Sequence, residues 1–354
     1  MNIKLNSIEK PTNSFCKLDC NKEILKNETR KEFQIGVERR HFLKSIVAGA
    51  GILLLSKPLN GTSNQTLAQD VSETADKKKD LPDIACNQYS LNAYYQRDNK
   101  NYLEYLDEVH DCGIKGVEPI IAMADDAQQI AELLKEHQLK IQSVYAQPTL
   151  FDSEIASQEI ERLLKAGEKL IDYGTKIMVV NMTPKSGKTD AELILQSKNV
   201  DLLGSELKQR GLQLALHYHI TEFEFGAREF HHLLNGTNPD HLSLCFDQHW
   251  VYRSSGNSEV AVHDCTKMYG NRVCEFHLRQ SRDSIWTETF EEVGDINYQD
   301  IFNDFSQKEL KPHLVLEQAP ENGTAHSLSA AEVLRQSVQN IRKIVSQTAS
   351  YNKN

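Results

Sequence analysis

LALHYHITEFEF, residues 214–225, joins an apolar run to a group of polar, chemically active side chains. A β-strand places residues two apart on the same face, so we expect His217 and His219 to point the same way where this strand ends. Glu222 follows three residues later. Two imidazoles at one strand tip form half of a metal site, although an isolated pair is more often simply hydrogen-bonded. The rest of the chain distinguishes these interpretations.

The alternation of apolar runs with amphipathic stretches extends from residue 81 to about residue 347. Strand-length runs predict eight strands, at residues 84–91, 116–120, 140–146, 176–182, 212–219, 241–247, 272–278 and 313–318. Helical periodicity predicts helices near 101–113, 125–138, 153–173, 190–210, 226–235, 257–269, 297–305 and 328–347. Eight strand-then-helix units predict an α/β fold, a parallel eight-stranded (β/α)8 TIM barrel forming one catalytic domain over residues 81–350. A doubly wound open sheet is the alternative, but no glycine-rich phosphate loop follows the first strand.

The net charge of the chain indicates which kinds of molecule it can bind. The 354 residues carry a net charge of -10, and a nucleic-acid surface needs a basic field. We therefore expect no nucleic-acid partner and a small-molecule substrate. The seven cysteines form no CxxC pair, which indicates buried thiols rather than a disulfide framework. Composition does not decide the oligomeric state.

The amino-terminal 80 residues have the pattern of a targeting region. Residues 1–37 are polar and unpatterned, which predicts a disordered leader, and residues 38–80 contain RRHFLK followed by a short apolar run and a polar linker. The apolar run, residues 46–55, is too short to span a bilayer, which needs about 20 residues. RRxFLK resembles the twin-arginine export signal. The resemblance implies a periplasmic or exported protein with no stable membrane span after processing.

Polar side chains recur at the carboxyl ends of the predicted strands, where the reacting groups of a barrel lie. In chain order they are Glu118, Tyr145, Asn181, His217 with His219, Asp247 with His249, His277 with Arg279, and Glu317. A carboxylate or imidazole at four consecutive strand ends is hard to explain by packing. Mixed nitrogen and oxygen ligands suit one divalent ion such as Mn, Zn, Co or Fe(II), with Mg as a further option.

Several motifs give this chain a resemblance to a known family. They are HYHITEF at 217–223, FDQHWVYRSSG at 246–256, EFHLRQ at 275–280, EVGDIN at 292–297 and LVLEQ at 314–318. Together they resemble the xylose isomerase-like TIM barrel superfamily, in its sugar phosphate isomerase/epimerase-like branch, over residues 81–347.

The resemblance implies a set of metal ligands. They are Asp247, His277, Glu317 and either His217 or His219. The epimerases of the branch carry a glutamate at that fourth position, where this chain has histidine. Because a histidine tied to the metal cannot replace one of two facing glutamates equally well, simple two-glutamate epimerisation is in doubt.

The predicted function is a divalent-metal-dependent sugar isomerase or epimerase acting on a non-phosphorylated sugar or sugar derivative. The metal would polarise a carbonyl, so that a neighbouring proton is abstracted and an enediolate forms. Glu317 is the predicted ligand and general base. Glu222, His249 and Glu118 are candidates for the second acid or base, with Glu118 also placed in the substrate site. Arg279 either clamps a substrate oxygen or bridges a carboxylate, and Trp250, with Tyr89 and Trp286, either stacks on a sugar face or packs the wall.

Three alternatives remain open at this stage. The same site could carry out β-elimination or hydration, as a lyase or dehydratase acting on a keto-sugar or keto-glycoside. An endonuclease IV-like metal phosphodiesterase is a second alternative, which the acidic net charge disfavours. A non-catalytic sugar-binding barrel is the third, but it would not need Asp247, His277 and Glu317 together.

Overall fold

The computed structural model describes residues 81–348. The predicted leader at 1–37 and the twin-arginine segment at 38–80 lie outside the described residues, so both stay predictions. Within residues 81–348, no helix combines the length and the apolar character needed to cross a membrane.

Eight parallel strands form the barrel. They are β1 (Ile84–Asn87), β2 (Gly116–Glu118), β3 (Ser143–Ala146), β4 (Ile177–Asn181), β5 (Gln213–His217), β6 (Ser243–Asp247), β7 (Val273–Leu278) and β8 (His313–Leu316). The order of hydrogen-bonded neighbours is β2-β1-β8-β7-β6-β5-β4-β3. Parallel bridges from Gly116 to Lys140 and from Ile120 to Tyr145 join the two end strands. The sheet therefore closes nearly completely, and the predicted TIM barrel is confirmed.

Helices surround the barrel. They are α1 (Gln88–Arg97), α2 (Leu106–Asp111), α3 (Ala124–Glu136), α4 (Ala156–Leu170), α5 (Asp190–Gln209), α6 (Glu224–Gly236), α7 (Gln248–Ser254), α8 (Glu259–Tyr269), α9 (Tyr298–Gln307) and α10 (Ala330–Gln347). A two-stranded hairpin, Ser281–Arg282 with Ile285–Trp286, follows β7. Capping boxes at Thr189 and Ser329 start the two longest helices by satisfying backbone N–H groups that the helix leaves unpaired.

The predicted first strand, 84–91, is wrong in its second half. The strand ends at Asn87, and the sequence QYSL that follows belongs to α1. The side chain of Asn87 accepts a hydrogen bond from the backbone N–H of Tyr89 at 2.7 Å and so caps the helix. Helix α7 was also not predicted, because its seven residues are too few to show helical periodicity.

Strand register pairs polar residues of neighbouring strands with each other. Three pairs of residues at or next to strand ends lie directly opposite each other: Asn87 with Glu118, Asn181 with His217, and Asp247 with His277. Paired residues of neighbouring strands face the same side of the sheet. The register therefore gathers the side chains at one end of the barrel.

An irregularity between β6 and β7 produces the last of these pairs. Leu244 lies opposite Val273, and the register then shifts by one residue, so that Asp247 lies opposite His277 and not Phe276. Such a bulge changes which side chains share a face. Without this shift, Asp247 would lie opposite Phe276, whose ring packs against helix α9.

The barrel has two apolar regions. The larger fills the space between the sheet and the helices. The smaller lies inside the barrel and consists of Tyr145, Ile177, Val179, Ala215 and Cys245. The five described cysteines, Cys86, Cys112, Cys245, Cys265 and Cys274, are free thiols, and all but Cys274 are buried. The prediction of buried thiols is therefore confirmed for four of the five described cysteines.

Candidate metal centre

Four side chains from four neighbouring strands converge at the carboxyl end of the barrel. His217 ends β5, Asp247 ends β6, His277 is the penultimate residue of β7, and Glu317 directly follows β8. One nitrogen or oxygen atom from each lies within 4.8 Å of the corresponding atoms of the others. We call these residues the four-residue group. Strand pairing fixes three of them, and the backbone N–H of Glu317 donates to the carbonyl of Leu278 at 3.0 Å.

Three atoms of the group, His217 Nε2, Asp247 Oδ2 and His277 Nε2, are buried without a hydrogen-bond partner within residues 81–348, and the first two face each other. His217 Nε2 lies 3.8 Å from both Asp247 Oδ2 and Glu317 Oε2. Within residues 81–348, neither His217 Nε2 nor Asp247 Oδ2 has a hydrogen-bond partner. A buried polar atom left unpaired costs about 1–3 kcal/mol. A cation held between these atoms would satisfy both.

The opposite sides of His217 and Asp247 are held by the protein. Tyr145 Oη lies 3.4 Å from His217 Nδ1, and the backbone N–H of Trp250 donates to Asp247 Oδ1 at 2.9 Å. Metal-binding side chains are commonly oriented through the atom that does not face the metal. These contacts leave Nε2 and Oδ2 facing the centre of the group.

Glu317 contacts both a histidine and an arginine. Its Oε2 lies 2.9 Å from His277 Nδ1 and 3.3 Å from Arg279 Nη2, and Arg279 Nε donates to its backbone carbonyl at 3.0 Å. Burial opposes ionisation of Glu317, but the charges of His277 and Arg279 outweigh burial and hold its pKa well below the ordinary value. Glu317 is therefore an ionised carboxylate.

Arg279 is itself enclosed by aromatic rings. Its guanidinium lies 4.1 Å from the ring centroid of Trp286 and 5.6 Å from that of Trp250. Arginine stacks on aromatic faces in this way. Of the two roles predicted for Arg279, the contact with a carboxylate is the one observed. Trp250 and Trp286 are both nearly fully buried, and they form part of the wall around the group.

A second layer of polar side chains lies beneath His277. Its Nε2 is 3.0 Å from Glu118 Oε2 and 3.3 Å from Glu275 Oε1. Cys245 Sγ donates to Glu275 Oε1 at 3.5 Å, and Asn87 Nδ2 donates to Glu118 Oε2. His277, Glu275 and Cys245 also lie close enough together to be a potential ligand set. Glu118 therefore contacts both the ring of His277 and the side chain of Asn87.

His219 and Glu222 lie beside the four-residue group and are not members of it. The ring of His219 is 4.9 Å from that of His217 and 5.0 Å from that of Trp250, both edge to face. Glu222 accepts hydrogen bonds from the backbone N–H of His219 at 2.9 Å and from Asn181 Nδ2 at 3.3 Å. Glu222 therefore closes the turn after β5. Of the two histidines predicted as alternatives, His217 is the one in the group.

His249 lies in a hydrogen-bond chain that holds the hairpin. Trp286 Nε1 donates to His249 Nδ1 at 3.2 Å, so the proton of the neutral ring is on Nε2, which lies 2.9 Å from Ser281 Oγ. Ser281 Oγ in turn donates to Asp295 Oδ2 at 2.7 Å. Burial, with the charges of Arg253 and Arg279, lowers the pKa of His249 well below its ordinary value. Both ring nitrogens of His249 are thus engaged by protein groups.

The residues of the centre fit a divalent cation. The donor set contains two imidazoles and two carboxylates, which suits Zn²⁺, Mn²⁺, Co²⁺ or Fe²⁺. The buried atoms of His217 and Asp247 that lack a partner face the same point. Buried carboxyl groups also outnumber the buried cationic groups around them, since Glu118 and Glu275 add to Asp247 and Glu317. An added positive charge would offset this excess.

Two residues of the site were missed by sequence reasoning. Asn87 was placed inside a longer strand, and Glu275 precedes His277 in a run that looked otherwise apolar. Strand alternation could have found Glu275, because it lies two residues before His277 and therefore faces the same side. Nothing in the sequence separates Asn87 from an ordinary turn residue.

The sequence profile of the family described as "Xylose isomerase-like TIM barrel" matches residues 106–344. The chain belongs to this family. The match begins after β1 and includes all members of the four-residue group. No curated protein matches the chain.

Several solved structures share the fold of this chain at low identity. A sugar phosphate isomerase/epimerase from Parabacteroides distasonis is 16% identical, with a TM-score of 0.62 over 80% of this chain and 100% of that chain. A xylose isomerase-like TIM barrel protein from Mycobacterium smegmatis, in complex with magnesium, is 14% identical, with a TM-score of 0.55 over 76% and 97%. A 3-keto-D-glucoside 4-epimerase from E. coli is 16% identical, with a TM-score of 0.54 over 74% and 99%. At these identities the likeness shows the fold alone.

Proposed function

We propose that this family member is a divalent-metal-dependent enzyme that abstracts a proton from the carbon next to a carbonyl of a non-phosphorylated sugar or sugar derivative. The return of that proton to another carbon or face makes the enzyme an isomerase or epimerase. One observation carries the proposal: His217, Asp247, His277 and Glu317 converge, and the atoms of His217 and Asp247 that face each other lack any other partner within the described residues.

In this proposal the four-residue group holds one cation. When bound, such an ion supplies positive charge that polarises a carbonyl and makes the adjacent C–H bond more acidic. His217 and His277 would hold the ion as neutral rings, because an imidazole nitrogen must be unprotonated to bind a metal. The Tyr145 and Trp250 contacts keep His217 and Asp247 in orientation before any ligand arrives.

Glu317 is the base in this proposal. Its side chain is 6% exposed, whereas those of His217, Asp247 and His277 are 0% exposed. Glu317 is therefore the member of the group that a substrate can reach most readily. A general base must be ionised and within reach of the proton that it accepts. Arg279 holds the carboxylate in place through Oε2 and the backbone carbonyl.

The wall of the site favours a sugar over a nucleic acid. The ring of Trp250 lies 5.0 Å from that of His219 beside the group, and aromatic rings pack well on the C–H faces of sugars. The acidic net charge of -10 disfavours a polyanion. The RRHFLK motif supports export of the chain, and an exported enzyme meets free sugars and glycosides rather than cytoplasmic phosphorylated metabolites.

Elimination is the second candidate reaction. The four-residue group contains one glutamate, Glu317, and His217 occupies the position at which the epimerases that this chain resembles carry another. One base suffices to remove a proton and expel a leaving group from the next carbon, whereas epimerisation needs proton delivery to the opposite face. A lyase or dehydratase acting on a keto-sugar or keto-glycoside would use the same group.

The test combines metal analysis with proton exchange. The purified chain is loaded with Zn²⁺, Mn²⁺ or Co²⁺ and incubated in D₂O with a panel of free sugars and keto-glycosides, and the products are followed by proton NMR. Deuterium entering the carbon next to a carbonyl supports the proposal, and a new double bond in the product identifies the elimination. The Glu317→Gln chain, shown to retain its metal, should lose the exchange. Full exchange by that variant would remove Glu317 from the role of base.

A further inference from the structure

Fully buried side chains lie one layer below the four-residue group, towards the amino ends of the strands. Cys245 and Glu275 come two residues before Asp247 and His277 on the same strands. Strand alternation therefore turns them to the same inner face of the sheet. The ring of His277 and the carboxylate of Glu118 complete this layer. We call Cys245, Glu275, His277 and Glu118 the lower set, and each is 0% exposed.

The register shift between β6 and β7 brings the lower set together. Cys245 lies directly opposite Glu275, and its Sγ is 3.5 Å from Glu275 Oε1. The same oxygen lies 3.3 Å from His277 Nε2, and Glu118 Oε2 lies 3.0 Å from that nitrogen. A sulfur, a nitrogen and two carboxylate oxygens thus lie close together inside the barrel.

The contacts of His277 Nε2 with the two carboxylates are not hydrogen bonds. Within residues 81–348, this nitrogen is buried without a hydrogen-bond partner, and so are Glu118 Oε1 and Glu275 Oε2. Atoms that bind one ion lie close together but point at the ion rather than at each other. The short distances around His277 Nε2, without hydrogen-bond geometry, are typical of such an arrangement.

The spacing of the lower set fits a tetrahedral zinc ion. Zn²⁺ binds nitrogen at about 2.0–2.1 Å, oxygen at about 2.0–2.2 Å and sulfur at about 2.3 Å. At tetrahedral angles, these bond lengths separate nitrogen from oxygen by about 3.3–3.5 Å and sulfur from oxygen by about 3.5–3.7 Å. Glu275 Oε1 lies 3.3 Å from His277 Nε2 and 3.5 Å from Cys245 Sγ. Both distances agree with a shared zinc ion.

The geometry points to the lower set as a second metal site, which binds one Zn²⁺ ion inside the barrel. A cysteine and a histidine select zinc over the hard cations Mg²⁺ and Ca²⁺. Four protein ligands leave no open position, which is the arrangement of a structural zinc ion. The inference does not rest on the proposed reaction. It gives Glu118 a role other than the substrate contact predicted from the sequence.

His277 joins the two metal sites. Its Nδ1 lies 2.9 Å from Glu317 Oε2 in the four-residue group, and its Nε2 faces the lower set. An ion in the lower set therefore fixes the ring that the four-residue group uses. Asn87 Nδ2 donates to Glu118 Oε2 and orients that carboxylate from outside the set. Each bound ion releases the proton of any thiol or ring nitrogen that it occupies.

Burial of the lower set decides when its ion binds. All four side chains are enclosed by the barrel, so the ion enters as the chain folds. It then stays bound when the folded chain is dialysed. Zn²⁺ added to the folded chain fills only the four-residue group.

Cobalt substitution of the full chain tests the inference. A thiolate bound to Co²⁺ gives a charge-transfer band in the near ultraviolet, which nitrogen and oxygen ligands do not give. The chain is produced in medium containing Co²⁺ and dialysed against a chelator, and its metal content and absorption are measured. We expect one Co²⁺ per chain with the thiolate band. A second Co²⁺, added back, should bind without enlarging that band.

Three variants identify the ligand that gives the band. Cys245→Ser should lose both the retained ion and the band. Cys265→Ser, at a buried thiol of α8, is the matched control and should keep both. Asp247→Asn, which removes a ligand of the four-residue group, should keep the retained ion and its band and take up no second ion.

The outcomes separate this inference from the proposed function. A wild type without the thiolate band overturns the inference, even if it binds Co²⁺ when the ion is added back, which would leave the four-residue group standing. A band that survives in Cys245→Ser belongs to another thiol and also overturns it. A retained ion with the band, but no second ion, supports the inference while the proposed metal centre fails.

X-ray absorption of the zinc form replaces the cobalt variants if Cys245→Ser does not fold. The dialysed wild type, produced with Zn²⁺, should show one sulfur neighbour of zinc at about 2.3 Å. The other neighbours should be nitrogen and oxygen. A zinc ion with no sulfur neighbour, or a dialysed chain without zinc, would overturn the inference.

Discussion

His217 Nε2 and Asp247 Oδ2 lie 3.8 Å apart, both fully buried. Neither atom has another hydrogen-bond partner within residues 81–348. Burying a polar atom without a hydrogen-bond partner costs about 1–3 kcal/mol of stability per atom. A cation bound between the two atoms would remove that cost. This relationship is the basis of the proposed metal centre and leads to the first prediction.

Asp247→Asn should abolish tight metal binding while preserving the fold. The variant keeps an oxygen to accept from the Trp250 backbone N–H but loses the charge of the ligand. Zn²⁺ at 100 times its Kd should stabilise the wild type by about 2.7 kcal/mol and leave the variant unchanged in thermal denaturation. Asp125→Asn, at an exposed carboxylate of α3, should behave as the wild type. Equal stabilisation of Asp247→Asn would contradict the assignment of this ligand.

Glu222 should make stability depend on pH. Burial and the charge of Glu229 raise its pKa to about 7, although the His219 N–H and the charge of Lys188 oppose the shift. Because the folded pKa lies above the unfolded value of about 4.5, the folded state binds more protons between these values, and stability falls as the pH rises from about 4.5 to about 7. Glu222→Gln should gain up to about 3 kcal/mol relative to the wild type across that range. The free energy of unfolding is measured for both proteins at pH 5 and pH 8. The same difference between them at the two pH values would contradict this prediction.

The ion pair of Arg253 with Glu321 should stabilise the hairpin. Arg253 binds both carboxylate oxygens, at 2.9 and 2.8 Å, and stacks on Trp286 at 4.7 Å. The two side chains are 12% and 13% exposed, so breaking the pair should cost about 2–4 kcal/mol of unfolding free energy. Arg253→Ala, measured by urea denaturation, tests this value. Lys165→Ala, which breaks an exposed pair on α4, is the control and should change little.

Gly204 should not tolerate a side chain. A Cβ at this position of α5 would approach the carbonyl oxygen of His241 closer than 3.0 Å, so either the helix or the segment before β6 must move. We expect Gly204→Ala to lose about 3 kcal/mol of stability. In Gly236→Ala the nearest atom, Ser197 Oγ, is 3.3 Å away, and the loss should be much smaller. Equal melting temperatures for the two variants would contradict the close approach.

Most of the barrel could be predicted from the sequence because its strands are buried on both faces. Such strands appear as short apolar runs, and the helices between them show the 3.6-residue period. The first strand was predicted too long because QYSL is apolar enough to extend it, and only the capping contact of Asn87 ends the strand. Helix α7 was missed because its seven residues, most of them buried, are too few to show the period that identifies a helix.

The sequence predicted which residues form the candidate site, but not how their side chains contact one another. Asp247, His277 and Glu317 stand at strand ends, and any parallel barrel brings such ends together. The choice of His217 over His219 depends on where β5 stops pairing with β4, which leaves His219 in the turn that Glu222 closes. The positions of His249 and Glu118 depend on contacts with the hairpin and with Asn87, both distant from them in sequence.

The sequence by itself determined the eight-strand barrel and the residues at its carboxyl end, because apolar runs and polar strand ends are local features of the chain. Only the tertiary structure decided how those residues meet. The one-residue shift between β6 and β7 places Asp247 level with His277, and closure of the barrel places Glu118 beneath that ring. Register and closure depend on pairing between distant segments, so no local pattern encodes them.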